Sequence, residues 1–199
     1  MKGLELAGVE LDERGRMKVD EYLQTTNSDV LVAGDSAGGF QFTHAAELHA
    51  QVILKNLFSP LKKKLSWDSF GWVTFTDPEI ATFGRSEVTL NHQGVDFQLL
   101  EIDLEDEDRE LIDENKGKLR LYVSGKKILG GTMIGSGAGE LVQELILCVS
   151  AGLTTDAIFG KIYPYPTSTR INKKAIQKLY AGKLSSRNKK ILQVLFKIF

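Results

Sequence analysis

Alternation of apolar and polar side chains dominates the middle of the chain. Within residues 70–135, short segments rich in β-branched and aromatic residues are separated by glycine, proline or charged breaks. This is the pattern of half-buried strands. The segments predicted to be strands are 72–75, 80–84, 95–104, 118–123 and 127–134. The three residues between the last two segments, Ser124-Gly125-Lys126, are few enough for a hairpin.

Four other segments have apolar residues at helical spacing. In residues 43–58 they form a broad face, with Thr43 in the N-cap position and Pro60 just past the end. Helices are also predicted over residues 141–151, 154–159 and 168–180, and Gly152 follows the first of these as a C′ glycine. Strands grouped ahead of helices predict an α+β fold for residues 71–182.

The first 60 residues have the pattern of part of an α/β unit. Short strands are predicted at residues 17–19 and 30–33, and the second runs directly into Gly34-Asp35, as a buried strand entering a loop does. Residues 61–70 carry three consecutive lysines and are predicted to be a linker. The predicted organisation is a first segment (1–60), a linker (61–70), an α+β domain (71–182) and a tail (183–199).

Composition narrows the functional classes. The 199 residues include 25 Lys and Arg against 26 Asp and Glu, so the net charge of -1 gives no general attraction to nucleic acid. No apolar run approaches the ~18–20 residues of a membrane span. The single cysteine, Cys148, excludes an intrachain disulfide and fits a reducing, cytoplasmic setting. Its place in the apolar stripe of residues 141–151 predicts a buried, inert thiol.

Two segments have unbalanced charge. Residues 101–114 hold nine acidic side chains and one arginine, which predicts a solvated loop. Residues 183–199 hold five basic side chains and no acidic one, with apolar residues crowded at the end. This tail is predicted to be a basic amphipathic helix at a membrane surface, a helix docked on its own dimer, or a frayed end.

Two glycine-rich segments resemble functional motifs. Residues 34–39, Gly-Asp-Ser-Ala-Gly-Gly, resemble the nucleophile elbow of esterases related to hormone-sensitive lipase, with Ser36 as the nucleophile. However, a helix should follow the elbow at once, and no oxyanion glycines precede it. Residues 135–140 resemble a dinucleotide-binding loop, but Glu140 stands at the last glycine position and would repel a pyrophosphate. A tight strand-to-helix turn explains this segment better.

Five segments taken together resemble the C-terminal part of the class I pyridine nucleotide-disulfide oxidoreductases. This family of flavoenzymes includes dihydrolipoamide dehydrogenase, glutathione reductase and mercuric reductase. The matching segments, in chain order, are residues 6–35, 42–46 (Phe-Thr-His-Ala-Ala), 73–84 (with Thr-Asp-Pro-Glu-Ile-Ala at 76–81), 128–141 and 163–167 (Tyr-Pro-Tyr-Pro-Thr). Their common order over nearly the whole chain makes the resemblance specific.

The resemblance implies that residues 1–60 are the end of an FAD-binding domain. Asp35 would then accept hydrogen bonds from the ribityl region of FAD, since an ionised carboxylate only accepts. Gly34 would allow close approach of the backbone. Thr43, His44 and Ala45 would place a helix N-terminus near the pyrimidine end of the flavin, where its partial positive charge stabilises the reduced form.

The resemblance also implies that residues 71–182 form the dimerisation domain, so we expect a homodimer. In the disulfide reductases this domain supplies a catalytic His before Pro-Thr and a Glu three residues after that Thr. Here these positions hold Tyr165 and Arg170. A phenol with an ordinary pKa near ~10 does not relay protons at neutral pH, so no catalytic residue is predicted. A tyrosine at this place is similar to mercuric reductases and their relatives.

The chain carries no N-terminal G-x-G-x-x-G, no C-x4-C pair and no NAD(P)-binding segment. We therefore expect a fragment of an FAD- and NAD(P)-dependent oxidoreductase that is inactive alone, with NAD(P) bound in a domain outside this sequence. Two alternatives remain. One is a stand-alone dimerisation or scaffold module without a redox role, and the other is the serine esterase.

Overall fold

The computed structural model describes residues 3–181 and 192–196. The chain divides into two compact units, Met1–Ser66 and Trp67–Phe199. The boundary between them falls inside the segment 61–70 that the sequence predicts to be a linker. No described helix is long and apolar enough to cross a membrane.

The first unit combines irregular chain with one long helix, α1 (Thr43–Phe58), whose bounds match the prediction. The predicted strands at 17–19 and 30–33 are wrong. These segments form only isolated bridges, Leu11 with Met17, Val19 with Thr25, and Gln24 with Leu31. The reason is local: their backbone groups bond to nearby turns, and no extended neighbour among the described residues of this unit continues the pairing.

The second unit contains a five-stranded antiparallel sheet, and all five predicted strands are confirmed. Its spatial order is β1-β2-β5-β4-β3. The strands are β1 (Gly71–Thr74), β2 (Glu79–Gly84), β3 (Gln98–Asp103), β4 (Lys118–Ser124) and β5 (Lys127–Gly135). The predicted hairpin joins β4 to β5.

Helices fill the connections and cover the sheet. The helices Glu87–His92 and Asp108–Ile112 were not predicted. The predicted helix 141–151 is observed as Gln143–Ser150, and a separate short helix, Ala138–Leu141, precedes it. The α+β prediction is confirmed. The helices are α2 (Glu87–His92), α3 (Asp108–Ile112), α4 (Ala138–Leu141), α5 (Gln143–Ser150), α6 (Thr155–Gly160) and α7 (Arg170–Ala181).

The core of the second unit lies between the sheet and helices α5 and α7. Alternate side chains of the strands point into it, as the period of two requires. The members that are fully buried include Phe83, Leu119, Leu121, Met133, Leu145, Ile171 and Ile176. Close strand contact at Gly130 needs glycine, because a Cβ there would lie 2.4 Å from the Arg85 carbonyl oxygen.

The tail lies largely outside the described residues. Residues 192–195 form a single helical turn, and residues 192–196 are exposed. The remainder of the predicted tail 183–199 is not described, so its amphipathic character stays a prediction.

Candidate functional site

The glycine turn of the first unit is attached to α1. Residues Gly34–Ala37 form a short 3-10 helix, and Gly34 has φ +72°, a conformation that favours glycine. The Gly34 N–H donates to Nδ1 of His49 at 3.0 Å. This bond links the turn to the second turn of α1.

His49 is a residue that the sequence placed only on the apolar face of the helix. Its side chain is fully buried, and burial lowers its pKa. Because Nδ1 accepts from Gly34, the ring is neutral with its proton on Nε2. Its role is to orient the turn, and no local pattern marked it, since its partner lies 15 residues earlier.

The residues predicted to contact the flavin lie in two places, the 3-10 turn and the first turn of α1. Asp35 is exposed, and so are Thr43 and His44 in the first turn of α1, whereas Ala45 is fully buried. The N-cap residue is Phe42 rather than Thr43, which corrects the prediction, and no side chain caps the helix. Asp35 and the first residues of α1 are thus open to solvent, and the start of a helix favours negative charge.

The esterase alternative gains no support from the geometry. Ser36 is exposed within the 3-10 helix, and α1 begins only at Thr43, so the sharp strand-to-helix elbow is absent from this described segment. Nδ1 of His49 is occupied by the Gly34 N–H. The His44 ring stacks on Phe42 with centroids 5.3 Å apart.

In the second unit, the glycine motif at residues 135–140 is a structural turn, as predicted. The Gly139 N–H donates to Oε2 of Glu79 at 3.0 Å, so a carboxylate of the protein takes the place that a phosphate would need. A Cβ at Gly139 would lie 2.9 Å from Val73. Glycine is thus needed here for packing against β1.

The two tyrosines of the Tyr-Pro-Tyr-Pro-Thr segment differ in environment. Tyr163 is buried and its hydroxyl donates to Oε1 of Glu144 at 2.8 Å. The same carboxylate accepts from Asn172 at 2.8 Å and pairs with Lys161 at 2.6 Å. Burial, and then Glu144, raise the pKa of Tyr163. Tyr163 therefore fixes the segment onto α5.

Tyr165, by contrast, is 66% exposed. Its hydroxyl donates to Oδ2 of Asp108 at 2.9 Å, and the Arg170 guanidinium carbon lies 5.2 Å from its ring centroid. The two positions that hold His and Glu in the disulfide reductases are thus in contact here. The contact is a cation over an aromatic ring rather than a carboxylate on an imidazole.

The prediction of a solvated loop at residues 101–114 is wrong. The segment completes β3 and forms α3, and Glu107 is fully buried. Nε of Arg170 lies 3.0 Å from one Glu107 oxygen, and Nζ of Lys174 lies 3.2 Å from the other. A buried carboxylate needs such partners, and they come from α7, more than 60 residues away.

Cys148 is buried, as predicted, and burial raises the pKa of its thiol. The thiolate is the reactive form, so this environment suits a packing role. Among the described residues, no group of three or more His, Cys, Asp or Glu side chains could hold a metal ion.

Two sequence models of one enzyme family match the chain. The first, described as pyridine nucleotide-disulphide oxidoreductase, dimerisation domain, matches residues 71–176. The second, described as pyridine nucleotide-disulphide oxidoreductase, matches residues 1–50. The matches therefore cover both described units.

Individual proteins give the same result. The chain is 32% identical to a mercuric reductase of Streptomyces lividans over 178 residues, which is 88% of this chain and 38% of that protein. It is 27% identical to a dihydrolipoyl dehydrogenase of Staphylococcus aureus over 179 residues, again 88% of this chain and 38% of the relative. The chain thus spans well under half the length of these relatives.

Solved structures share the fold. LpdA of Mycobacterium tuberculosis superposes with a TM-score of 0.80 at 20% identity, covering 89% of this chain and 39% of that one. The HOCl-induced flavoprotein disulfide reductase RclA of Escherichia coli gives 0.76 at 22% identity, covering 88% and 41%. With the dimerisation-domain match over more than half of its length, the chain belongs to the pyridine nucleotide-disulfide oxidoreductase family, and it comprises a dimerisation domain and a short flavin-site region.

Proposed function

We propose that this chain forms a homodimer through its second unit and supplies part of the flavin site of an FAD- and NAD(P)-dependent oxidoreductase. The observation that carries the proposal is that two large aliphatic side chains of the dimerisation domain are left exposed. They are Leu147 on α5 and Ile162 in the segment after α6, which are 58% and 86% exposed, and we call these two residues the helical patch.

The helical patch is built on rigid elements. The Lys161–Glu144 ion pair and the Tyr163–Glu144 hydrogen bond hold the segment after α6 against α5. Leu147 lies one turn beyond Glu144 on the same helix face. Burying a large aliphatic side chain contributes about 1.5–3 kcal/mol, and a two-fold interface buries each residue twice.

Sedimentation velocity of the full chain tests the homodimer. We expect a dimer for the unmodified chain and a monomer for a variant carrying Leu147→Asp and Ile162→Asp. Val88→Asp is the matched control, because Val88 is 79% exposed on α2 and lies outside the patch. A monomeric unmodified chain at about 100 µM, or a dimer that survives the double substitution, contradicts the proposal.

In the flavin site, Asp35 is proposed to accept hydrogen bonds from ribityl hydroxyls, and the α1 start at Thr43, His44 and Ala45 to face the pyrimidine edge of the flavin. Bound FAD would supply two-electron transfer between a nicotinamide and the acceptor. The chain's own groups act electrostatically. The helix N-terminus favours negative charge, and the hydrogen bond from Gly34 to His49 holds the turn in a fixed position against the helix.

We further propose that the chain alone neither retains FAD nor turns over NAD(P)H, because the sites for the FAD pyrophosphate and for NAD(P) would lie outside it. An absorption spectrum of the purified chain and a titration of flavin fluorescence check this. A visible flavin band that is lost in Asp35→Ala would show that the flavin-site residues are correct and that the proposed lack of retention is wrong.

The acceptor is proposed to be one whose reduction needs no proton relay from this domain. Tyr165 supports this, because the Asp108 carboxylate raises the pKa of its phenol above the ordinary tyrosine value, so the phenol keeps its proton near neutral pH. We also propose a cytoplasmic location, with the basic tail 183–199 as a contact to anionic membrane surfaces. Co-sedimentation with anionic vesicles that disappears on removing residues 186–199 is the expected result; equal binding without them would exclude the tail.

A further inference from the structure

We propose that Glu107, Asp108 and Arg170 act together as positioning residues that hold the exposed phenol of Tyr165 in one orientation. Tyr165 and Arg170 stand at the His and Glu positions of the disulfide reductases, and the two carboxylates at the start of α3 would support them. The inference rests on the proposed function, in which this domain supplies no proton relay and Tyr165 stands at the position of the catalytic His.

Tyr165 is held at both ends of its side chain. The hydroxyl donates to Oδ2 of Asp108 at 2.9 Å, and the Arg170 guanidinium covers one ring face at 5.2 Å. A tyrosine has only two side-chain torsions, so one contact at the tip and one on the ring are enough to select a rotamer. An exposed tyrosine without such contacts would sample several.

Arg170 is itself held by a buried partner. Its Nε donates to Oε1 of Glu107 at 3.0 Å, and Nζ of Lys174 lies 3.2 Å from Oε2. Rotation of Arg170 away from Glu107 would leave a fully buried carboxylate without this partner, so the ion pair disfavours that movement. The guanidinium is consequently a fixed platform for the Tyr165 ring.

The two carboxylates are coupled through the backbone. Glu107 is the N-cap residue of α3 and Asp108 is its first residue. Glu107 is fully buried, whereas Asp108 is exposed. The start of α3 therefore supplies both the carboxylate that holds Arg170 over the Tyr165 ring and the carboxylate that accepts from the Tyr165 hydroxyl.

The arrangement determines what Tyr165 presents. Its proton points to Asp108, which leaves the oxygen lone pairs directed elsewhere as acceptors. The Asp108 carboxylate raises the pKa of Tyr165; Arg170 acts in the opposite direction, and Glu107 adds to the increase. The phenol is therefore neutral at physiological pH and serves as an oriented electron-pair donor.

The test follows Tyr165 by NMR in the full chain labelled with carbon-13 at the tyrosine ring, with Tyr165→Phe identifying its signal. In the unmodified chain we expect one sharp signal that titrates above the ordinary tyrosine pKa. Asp108→Asn should lower the midpoint of this titration. Glu107→Gln should shift and broaden the signal, because Arg170 loses its charged partner.

Glu110→Gln is the matched control. Glu110 is also buried on α3, but its oxygen accepts from Asn115 and makes no contact with Arg170. Its substitution should leave the Tyr165 signal unchanged even where it lowers stability. If Glu107→Gln does not fold, Arg170→Lys keeps a charge beside Glu107 and removes the planar group from the ring, and the signal should still move.

The inference is overturned if the Tyr165 signal is the same in Asp108→Asn, Arg170→Lys and the unmodified chain, or if Glu110→Gln moves it as much as Glu107→Gln. These outcomes do not depend on dimerisation. A monomeric chain with an ordered Tyr165 would contradict the proposed homodimer alone, and a dimer with a freely rotating Tyr165 would contradict only the positioning role.

Discussion

The two units differ in how they are stabilised. Among the described residues, both clusters of buried apolar side chains lie in the second unit, where the sheet and its covering helices supply them. In the first unit the buried apolar residues are scattered along turns and one helix face. The second unit thus contains its own core, whereas the first depends more on individual hydrogen bonds such as Gly34–His49. We expect substitutions to act differently in the two units.

The largest difference should appear in the core. Phe83→Ala removes a side chain of β2 that is 1% exposed in the core of the second unit and should lower the free energy of unfolding by about 3–5 kcal/mol. Val52→Ala in α1, equally buried, removes fewer atoms and should cost about 1–2 kcal/mol. Urea denaturation with hydrogen exchange, which separates the two units, measures both. Equal losses in the two units would remove the distinction.

A smaller effect is expected at the glycine turn. Gly34→Ala meets only an ordinary contact, Cβ of Ala46 at 3.7 Å, so the cost comes from φ +72° and should be about 1 kcal/mol. Gly160→Ala is the control, because that position has open space and no positive φ. Thermal unfolding of both variants gives the comparison, and a neutral Gly34→Ala would mean that the turn relaxes freely.

Helix caps give the next comparison. Ser86 caps α2 by accepting from the Thr89 N–H at 3.2 Å, so Ser86→Ala should cost about 1 kcal/mol. Thr43 makes no capping bond at the start of α1, and Thr43→Ala should change stability by only a few tenths of a kcal/mol. Chemical denaturation of the two variants measures both changes in the free energy of unfolding. A larger decrease for Thr43→Ala than for Ser86→Ala would mean that Thr43, and not Ser86, caps its helix.

The most gradual effect concerns pH. Burial lowers the pKa of His49 in the folded chain below its unfolded value near ~6.5, so the unfolded state binds the proton more readily. The contribution of His49 to the free energy of unfolding is fully present above the unfolded pKa. It is lost as the pH falls from the unfolded pKa through the lower, folded pKa. The protection of the Gly34 amide against exchange, corrected for the slower intrinsic exchange at lower pH, should decrease over this window by NMR. His49→Asn should remove the dependence, and an unchanged pH profile in that variant would assign it elsewhere.

The sequence predicted most of the second unit because alternation and turn residues specify its strands locally. It failed where burial is decided by distant partners. The sequence around Glu107 predicts a solvated side chain, but Glu107 is buried because Arg170, 63 residues later, pairs with it. A strand at 30–33 would need an extended partner strand, and the hydrophobic pattern does not show whether one is present. The sites divide in the same way: Tyr165 and Arg170 were found by motif, whereas Asp108 and His49 became visible only through their contacts.

The order of the sheet leaves β1 and β3 at its edges, and such edges invite strand addition from other molecules. The β1 edge is only four residues long. On β3, Glu101 and Asp103 are exposed, and Nζ of Lys178 donates a hydrogen bond to the backbone carbonyl of Glu101 at 2.6 Å. Charge and a lysine on the open backbone are the features by which natural sheets resist aggregation. The edges of this sheet are thereby protected against strand addition and growth into fibres.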